Sequence, residues 1–507
     1  MNWIDHAVGY VSPRAGLRRL RVRAAMEALR RGYEGAQGGR RTDGWRTSGT
    51  AANAEVSAAL PRLRDRARDL VRNNPYAAKG VAALVSNLVG TGIVARARVR
   101  LPEASSEETS QLNTEVDGQW ARFVAECDAD GRTDFHGLQA LAARAVVESG
   151  EALVRLRLRP RGAGLAVPLQ LQVLEADHLD ASRTGELAGG GFVHQGIEFD
   201  GLGRRVAYWL YPVHPGEVAS FRRLRLESRR VPAASVCHLF ERLRPGQARG
   251  VPWLAPVILR LRDLDEYDDA ELVRKKIEAC FAAFVLDADE TEPLGATRQE
   301  ASGRRIESFE PGMIEYLPAG RDVRFAAPAT SGGYPEYMRL QLHAVAAGLG
   351  LTYELLTGDL SQVNYSSIRA GLIEFRRRIE ALQWQVLIPC LCQPVWQRFV
   401  AVAQAAGTLP PGEIGAEWTA PRFEAVDPLK DAKADIMAVR AGFMPLREAI
   451  ARNGYDPGDV LAEIATTNAL IDRLGLVLDT DPRRATQSGQ AKDPTATTEE
   501  KDDDEDV

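Results

Sequence analysis

The stretch from Leu349 to Pro394 constrains the fold more than any other. Gly348, Gly350 and Gly358 precede a polar loop, Asp359-Leu-Ser-Gln-Val-Asn364-Tyr365-Ser366-Ser367-Ile-Arg369. Asn364 and Ser366 are residue types that cap helix starts by accepting from the first unpaired backbone N–H groups. Ile368, Leu372, Phe375, Ile379, Leu382 and Val386 then recur at three- and four-residue spacing, which predicts one long helix with a single apolar stripe. Arg369, Glu374, Arg376, Arg377, Arg378 and Glu380 fall mostly on its other faces. Pro389 and Pro394 are expected to kink or interrupt it. A glycine-flanked polar loop ahead of a long amphipathic helix is a mobile tip on a stiff lever, not an enzyme pocket by itself.

At 507 residues the chain exceeds one ordinary core, so roughly two to four structural units are expected. An apolar content of 45% suffices for packed domains. No apolar run is expected to approach the ~18–20 residues needed to cross a bilayer. Met1-Asn-Trp-Ile-Asp-His lacks the basic-then-apolar order of a secretory signal, so the chain is expected to be soluble and intracellular when made. Cys127, Cys237, Cys280, Cys390 and Cys392 have no zinc or redox spacing and read as small core thiols. A net charge of −5 argues against a sequence-reading DNA binder, which carries a basic excess. It does not exclude DNA as a transient passenger, because a surface that DNA slides past must avoid accumulating phosphate contacts.

In chain order, residues 1–60 are rich in Arg, Gly and Ala, with a helix expected around Gly16–Arg31 and an extended arm after it. Residues 54–90 predict two helices broken at Asn73-Asn74-Pro75. Gly90, Gly92 and Ala95 match a GxGxxA string, but it follows a helix and opens a strand, the reverse of a dinucleotide loop. Helices at 108–126 and 135–150 lead to strands at 151–159, 169–174, 191–199, 205–211 and 236–240, with a hairpin turn at Asp200-Gly201. Residues 90–245 are thus an α+β unit with a mostly antiparallel sheet. A second long helix is predicted from 253 to about 285, acidic in its middle and basic at its end, which suits the helix dipole. Residues 286–333 predict a small β-rich module, Tyr334 to Leu349 a return helix, 407–427 a Pro/Gly-rich connector, and 428–478 a helical unit. The acidic end beyond Thr480 has almost no apolar residues and cannot fold alone.

One cluster invites a chemical reading. Glu175-Ala-Asp177-His178-Leu-Asp180 ends a strand, and paired carboxylates with a histidine suit a metal or acid–base work. The same residues equally suit a capped turn paired with arginine. No second His or carboxylate cluster lies at ligand spacing, so no metal and no cofactor is expected. No GxxxxGK[ST] phosphate loop occurs, which counts against an ATPase.

Several strings taken together resemble the lambda family of bacteriophage portal proteins. They are Arg68 to Ala77, Glu175 to His178, His238-Leu-Phe, Arg244-Pro-Gly-Gln247-Ala-Arg249-Gly250-Val-Pro, Leu349 to Leu356, and Asp359 to Arg369. Their order spans roughly residues 15–480. The resemblance implies a mainly helical α+β portal fold repeated in a ring, expected to have twelve subunits, at one vertex of a virion capsid. It implies a basic arm (1–53), a wing (54–252), a stem helix (253–285), a clip (286–333), a second stem helix (334–356) and a tunnel loop (357–367). A long kinked wing helix with connector (368–427), a crown (428–480) and a disordered acidic tail (481–507) complete it.

Implied too are a channel for double-stranded DNA and no membrane. Implied partners are the terminase large subunit, capsid or scaffold proteins, and neck adaptors. Gln362, Asn364, Tyr365, Ser366 and Arg369 then belong to the DNA-facing loop, and Asp265, Glu266 and Asp269 line the stem and repel phosphate. Neutral hydrogen-bonding groups position a backbone without reading bases. Rival readings are a neck adaptor, which does not need the helix–clip–helix–loop–helix order, and a metal-dependent hydrolase using Asp177, His178 and Asp180.

Overall fold

The computed structural model describes residues 40, 42–45, 47–100, 105–217, 227–279, 283–286, 296–299, 305–308, 322–325, 333–424, 427–455, 457–478, 481 and 483–484. The helix expected around Gly16–Arg31 and the acidic end beyond 484 lie outside them. The chain divides into two units, Met1–Glu55 and Val56–Val507. In the first, the Trp45 N–H donates to the Thr42 carbonyl (3.1 Å), and the Thr50 hydroxyl donates to Glu55 (2.8 Å).

Helices α1 (Ala52–Asn73) and α2 (Pro75–Val89) form the expected pair. Asn74 separates them. Its side-chain oxygen caps α2 by accepting from the Ala77 N–H, and Pro75 takes the first helical position, where a missing N–H costs nothing. Strand β1 (Val94–Arg100) follows directly, so the GxGxxA string is a helix-to-strand turn, as its context predicted. Helices α3 (Ser106–Glu126) and α4 (Phe135–Ser149) are started by Ser105, in a capping box with Glu108, and by Asp134.

The sheets are antiparallel throughout but separate. Strands β2 (Glu151–Leu158), β3 (Leu169–Glu175) and β9 (Val236–Phe240) form one, in the order β3-β2-β9. The second runs β4 (Gly185–Glu186), β5 (Phe192–His194), β6 (Ile197–Phe199), β7 (Arg205–Leu210), β8 (Arg229–Pro232). The single strand expected over 191–199 is a hairpin instead. Gln195 sits in the left-handed region at φ 47° and Gly196 at φ 79°, which turns β5 back onto β6. The hairpin at Asp200-Gly201 is where the sequence placed it.

Helix α5 (Ile258–Ala279) is shorter than predicted, because Ala283–Leu286 is strand β10 and not the end of a helix. Phe284 therefore belongs to a β pair and not to the helical stripe. Strand β10 pairs with β13 (Asp322–Phe325), and β11 (Ala296–Gln299) with β12 (Arg305–Ser308), so the described residues between α5 and α6 are mainly strands. Helix α6 (Tyr334–Leu349) returns, and a short α7 (Tyr353–Thr357) precedes the loop.

Helix α8 (Tyr365–Leu382) runs through a π-wound stretch, Gln383–Cys392, into α9 (Gln393–Ala406). Pro389 has no N–H and crowds the carbonyl four residues back. The wider winding absorbs that, so the helix is loosened and not broken. Its Ser366–Ala406 span is long and apolar enough to cross a membrane by length and composition, contrary to the expectation that no apolar run approaches that length. However, 61% of the qualifying window is buried within this fold. Trp396 and Phe399 pack there against Trp120, and Phe399 also against Phe123, with the closest ring centroids 4.9 Å apart. Cys127, Cys237 and Cys392 are buried thiols pushed up by burial, as small core residues are.

The connector at 407–427 contains a strand the sequence reading missed. Strand β14 (Glu413–Thr419) pairs with β1 in register Val94↔Thr419 to Arg100↔Glu413. Helices α10 (Pro428–Arg440), α11 (Leu446–Arg452) and α12 (Pro457–Leu474) form the expected C-terminal helical unit, and α10 buries no side chain in this chain.

Candidate functional site

The polar loop is held between two helix ends. Gly358 closes α7 at φ 79°, a left-handed conformation that a side chain disfavours, and donates its N–H to Glu354 (2.8 Å). Asp359 then organises the turn. It accepts from the Ser361 N–H (3.0 Å) and from the Tyr353 hydroxyl (3.2 Å). Hydrogen bonds from Ser361 hold its carboxyl below the usual carboxylate range. Asn364 caps α8 by accepting from the Ser367 N–H (2.8 Å), so the capping residue is Asn364 and Ser366 lies inside the first turn.

Gln362, Asn364 and Ser366 are exposed, and the side chain of Tyr365 lies outside the described residues. Arg369 is half-buried and bound to Asp431 of α10 at 2.8 Å.

Behind the loop, α5 and α6 lie side by side. Tyr267 stacks on Tyr334 (5.8 Å) and meets Tyr337 edge-on (4.9 Å). Arg260 donates to Gln341 (2.5 Å), and the Tyr334 hydroxyl donates to Asp268. That bond to Asp268 pushes the Tyr334 phenol up to about 12. Of the acids singled out in the sequence, Asp265 is half-buried and accepts from the Asn74 amide (2.6 Å), and burial raises its carboxyl. Asn74 thereby clamps the α1–α2 turn to α5. Glu266 pairs with Arg262 one turn back (2.8 Å), and Asp269 is exposed.

A second cluster, deep in the fold, gathers most of the strings that marked the sequence. Glu151 opens β2 with 1% of its surface exposed. Its Oε1 accepts from Arg249 Nη2 (2.5 Å) and Arg64 Nη2 (3.0 Å), and its Oε2 from His238 Nε2 (3.0 Å) and the Gly250 N–H (3.0 Å). Gly250 is obligatory here, since a Cβ would stand 2.0 Å from the Gly150 carbonyl oxygen. Arg64 reaches on to Asp177 (3.3 Å), and Arg68 binds Asp177 (2.5 Å), Glu175 (2.6 Å) and Ser149 (3.1 Å).

Burial pushes the Glu151 carboxyl up, but Arg249 and His238 outweigh it and hold it well below its usual range. The same contest, decided by Arg68 and Arg64, lowers Asp177. Burial keeps His238 neutral by lowering its pKa against the pull of Glu151.

The three residues of the hydrolase reading do not converge. Asp177 is committed to the two arginines. Asp180 accepts from the Ser182 (2.5 Å) and Ser228 (2.6 Å) hydroxyls, and His178 Nδ1 is bonded to the Tyr211 carbonyl (3.0 Å). Glu175, Asp177 and His214 do lie within ligand distance of one another. Yet His214 Nδ1 accepts from the Gly216 N–H (3.0 Å), which puts the neutral ring's proton on Nε2. That proton, not a lone pair, faces Glu175 (3.5 Å) and Asp177 (3.9 Å), and Arg68 and Arg64 together already balance the two carboxylates. The arrangement is an ion-pair network.

Buried charges tie the fold to itself, while the polar loop and parts of α5 and α6 are exposed. The family model described as phage portal protein, lambda family, matches residues 38–383, and the chain belongs to that family. It is 28% identical to a probable portal protein of Halomonas phage phiHAP-1 over 464 residues, covering 88% of each chain. It is 23% identical to portal protein B of Escherichia phage lambda, covering 83% of this chain and 85% of that one. Among solved structures it is similar to a chain in the virion of a native gene transfer agent particle, with 15% identity, TM-score 0.42, and coverage of 81% and 95%. A second similarity is to an HK97-family phage portal protein from Corynebacterium diphtheriae, with 13% identity, TM-score 0.33, and coverage of 76% and 99%.

Proposed function

We propose that this portal protein closes into a ring of twelve at one capsid vertex, and that double-stranded DNA enters and leaves through the ring without chemistry by the protein. Helices α5 and α6 serve as the stem, strands β10–β13 as the clip, the loop at 357–367 as the tunnel loop, and α10–α12 as the crown. The observation that carries this reading is the unsatisfied outer surface of the stem. Leu259 is 70% and Leu340 66% exposed, and Leu272, Val273 and Tyr337 are also uncovered. One chain cannot cover two long helices that each have apolar residues facing away from the other. Identical neighbours about an axis can.

The acids on α5 favour a lumen that repels phosphate. The exposed Gln362, Asn364 and Ser366 offer neutral contacts that hold a passing backbone weakly. The clip is the surface for the terminase large subunit and later for neck adaptors, the outer wing meets capsid or scaffold proteins, and assembly takes place in the host cytoplasm. The test is substitution in the loop. Asn364→Ala and Tyr365→Ala leave rings intact by electron microscopy and impair DNA packaging or retention. Normal packaging in both variants removes the loop assignment.

A further inference from the structure

The segment that carries the chain from β14 into the C-terminal helical unit is strapped along the helix behind the polar loop. Arg369 and Arg376 stand seven residues apart on α8, hence on one face of it. Arg376 donates to the Glu424 carbonyl (2.6 Å) and lays its guanidinium over Phe423, 5.3 Å from the ring centroid. Arg369 binds Asp431 (2.8 Å). The two arginines thus grip residues on either side of the entry to α10. Asp431 is itself built into that entry, since its Oδ2 accepts from the Asp427 N–H (3.4 Å), while Asp427 caps the helix through the Lys430 N–H (3.2 Å).

At the other end of the same stretch of α8 is the loop. Asn364 starts the helix, and Arg369 sits just over one turn along it. No side chain of α10 is buried, so its attachment does not come from an apolar interface of its own. The Arg369–Asp431 pair ties α10 to α8, Arg376 holds the segment just before it, and Arg96 on β1 pairs with Asp459 on α12.

We infer that Arg369 and Asp431 are positioning residues, a tie by which the C-terminal helical unit sets the stance of the 358–364 loop and keeps the Arg369 charge engaged. Movement of the C-terminal unit that opens the pair loosens the first turn of α8, and with it the loop that Asn364 caps. The tie is independent of the channel reading, whereas its consequence for DNA rests on that reading.

The test uses assembled full-length protein and amide hydrogen exchange over residues 358–370, with Asp431→Asn, Arg369→Gln and the charge-exchanged pair Arg369→Asp/Asp431→Arg. Exchange is expected to quicken about fivefold in each single variant, the scale of one half-exposed ion pair, and to recover in the exchanged pair. Unchanged exchange in Asp431→Asn, or no recovery in the exchanged pair, overturns the tie. DNA retention by particles carrying Asp431→Asn is the second arm. Quickened exchange with weaker retention supports both the tie and its role at the channel. Quickened exchange with normal retention keeps the tie and overturns that role.

Discussion

The two charged regions of this chain are built in opposite ways. Around Glu151 the charges are out of water, and each main partner is satisfied more than once: one carboxylate accepts from two arginines, a histidine and a backbone N–H. Along α5, α6 and the loop the charges are exposed or half-exposed, and some are satisfied within a turn, as Glu266 is by Arg262 and Asp359 by Ser361. A buried carboxylate has no access to a partner outside the chain, so the Glu151 cluster specifies how α1, β2, β9 and the turn at 249–250 meet. An exposed acid costs little to leave partly solvated, so α5 and the loop keep groups open to contacts from outside the chain.

This contrast can be broken by experiment. Glu151→Ala strands Arg249 as a buried, unbalanced cation, leaves Arg64 with Asp177 alone, and is expected to cost about 3–5 kcal/mol, enough to prevent folding in a marginal background. Denaturant unfolding followed by tryptophan fluorescence measures it, and a loss under about 1 kcal/mol contradicts the structural role.

Acidification is the next effect in size. Glu151 and Asp177 are depressed in the folded state, so their contribution is present above the ordinary carboxylate range and is lost as pH falls through their lowered values. His238 is also depressed, so protonation of the unfolded chain below about 6.5 adds a loss of the same sign. The unfolding midpoint is therefore expected to fall steadily from pH 7.5 to pH 4. A midpoint that is flat, or highest near pH 5, contradicts it.

The smallest effect belongs to the other region. Glu266→Gln removes an exposed pair one turn apart and is expected to change stability by less than about 0.5 kcal/mol in the same assay. A larger loss would show that stem charges also support the fold.

Much of the helical framework was legible, because caps and apolar stripes are local signals. Asn74, Asn364 and the stripe of α8 lie where spacing placed them. The strings at Glu175–His178, His238 and Arg249-Gly250 were legible as signals, but not that they meet. Their meeting point, Glu151, read only as the first residue of an alternating strand, and nothing local marks a carboxylate that four distant groups will share. The β1–β14 pairing was hidden for the same reason, since its strands are more than three hundred residues apart. Helix α5 was drawn too long because Phe284 continues an apolar spacing that fits a strand equally well. For the loop, the sequence indicated polarity and a cap. It did not indicate that Arg369 is already bound to Asp431, a residue in another helix.

The exposed apolar residues of α5 and α6 make the most direct test an image of the assembled protein. Electron microscopy of the purified, concentrated chain is expected to show rings with a central hole, with Leu259 and Leu340 covered by neighbouring copies. A field of separate, self-contained monomers at high concentration, with no ring in particles that carry the protein, would contradict the account.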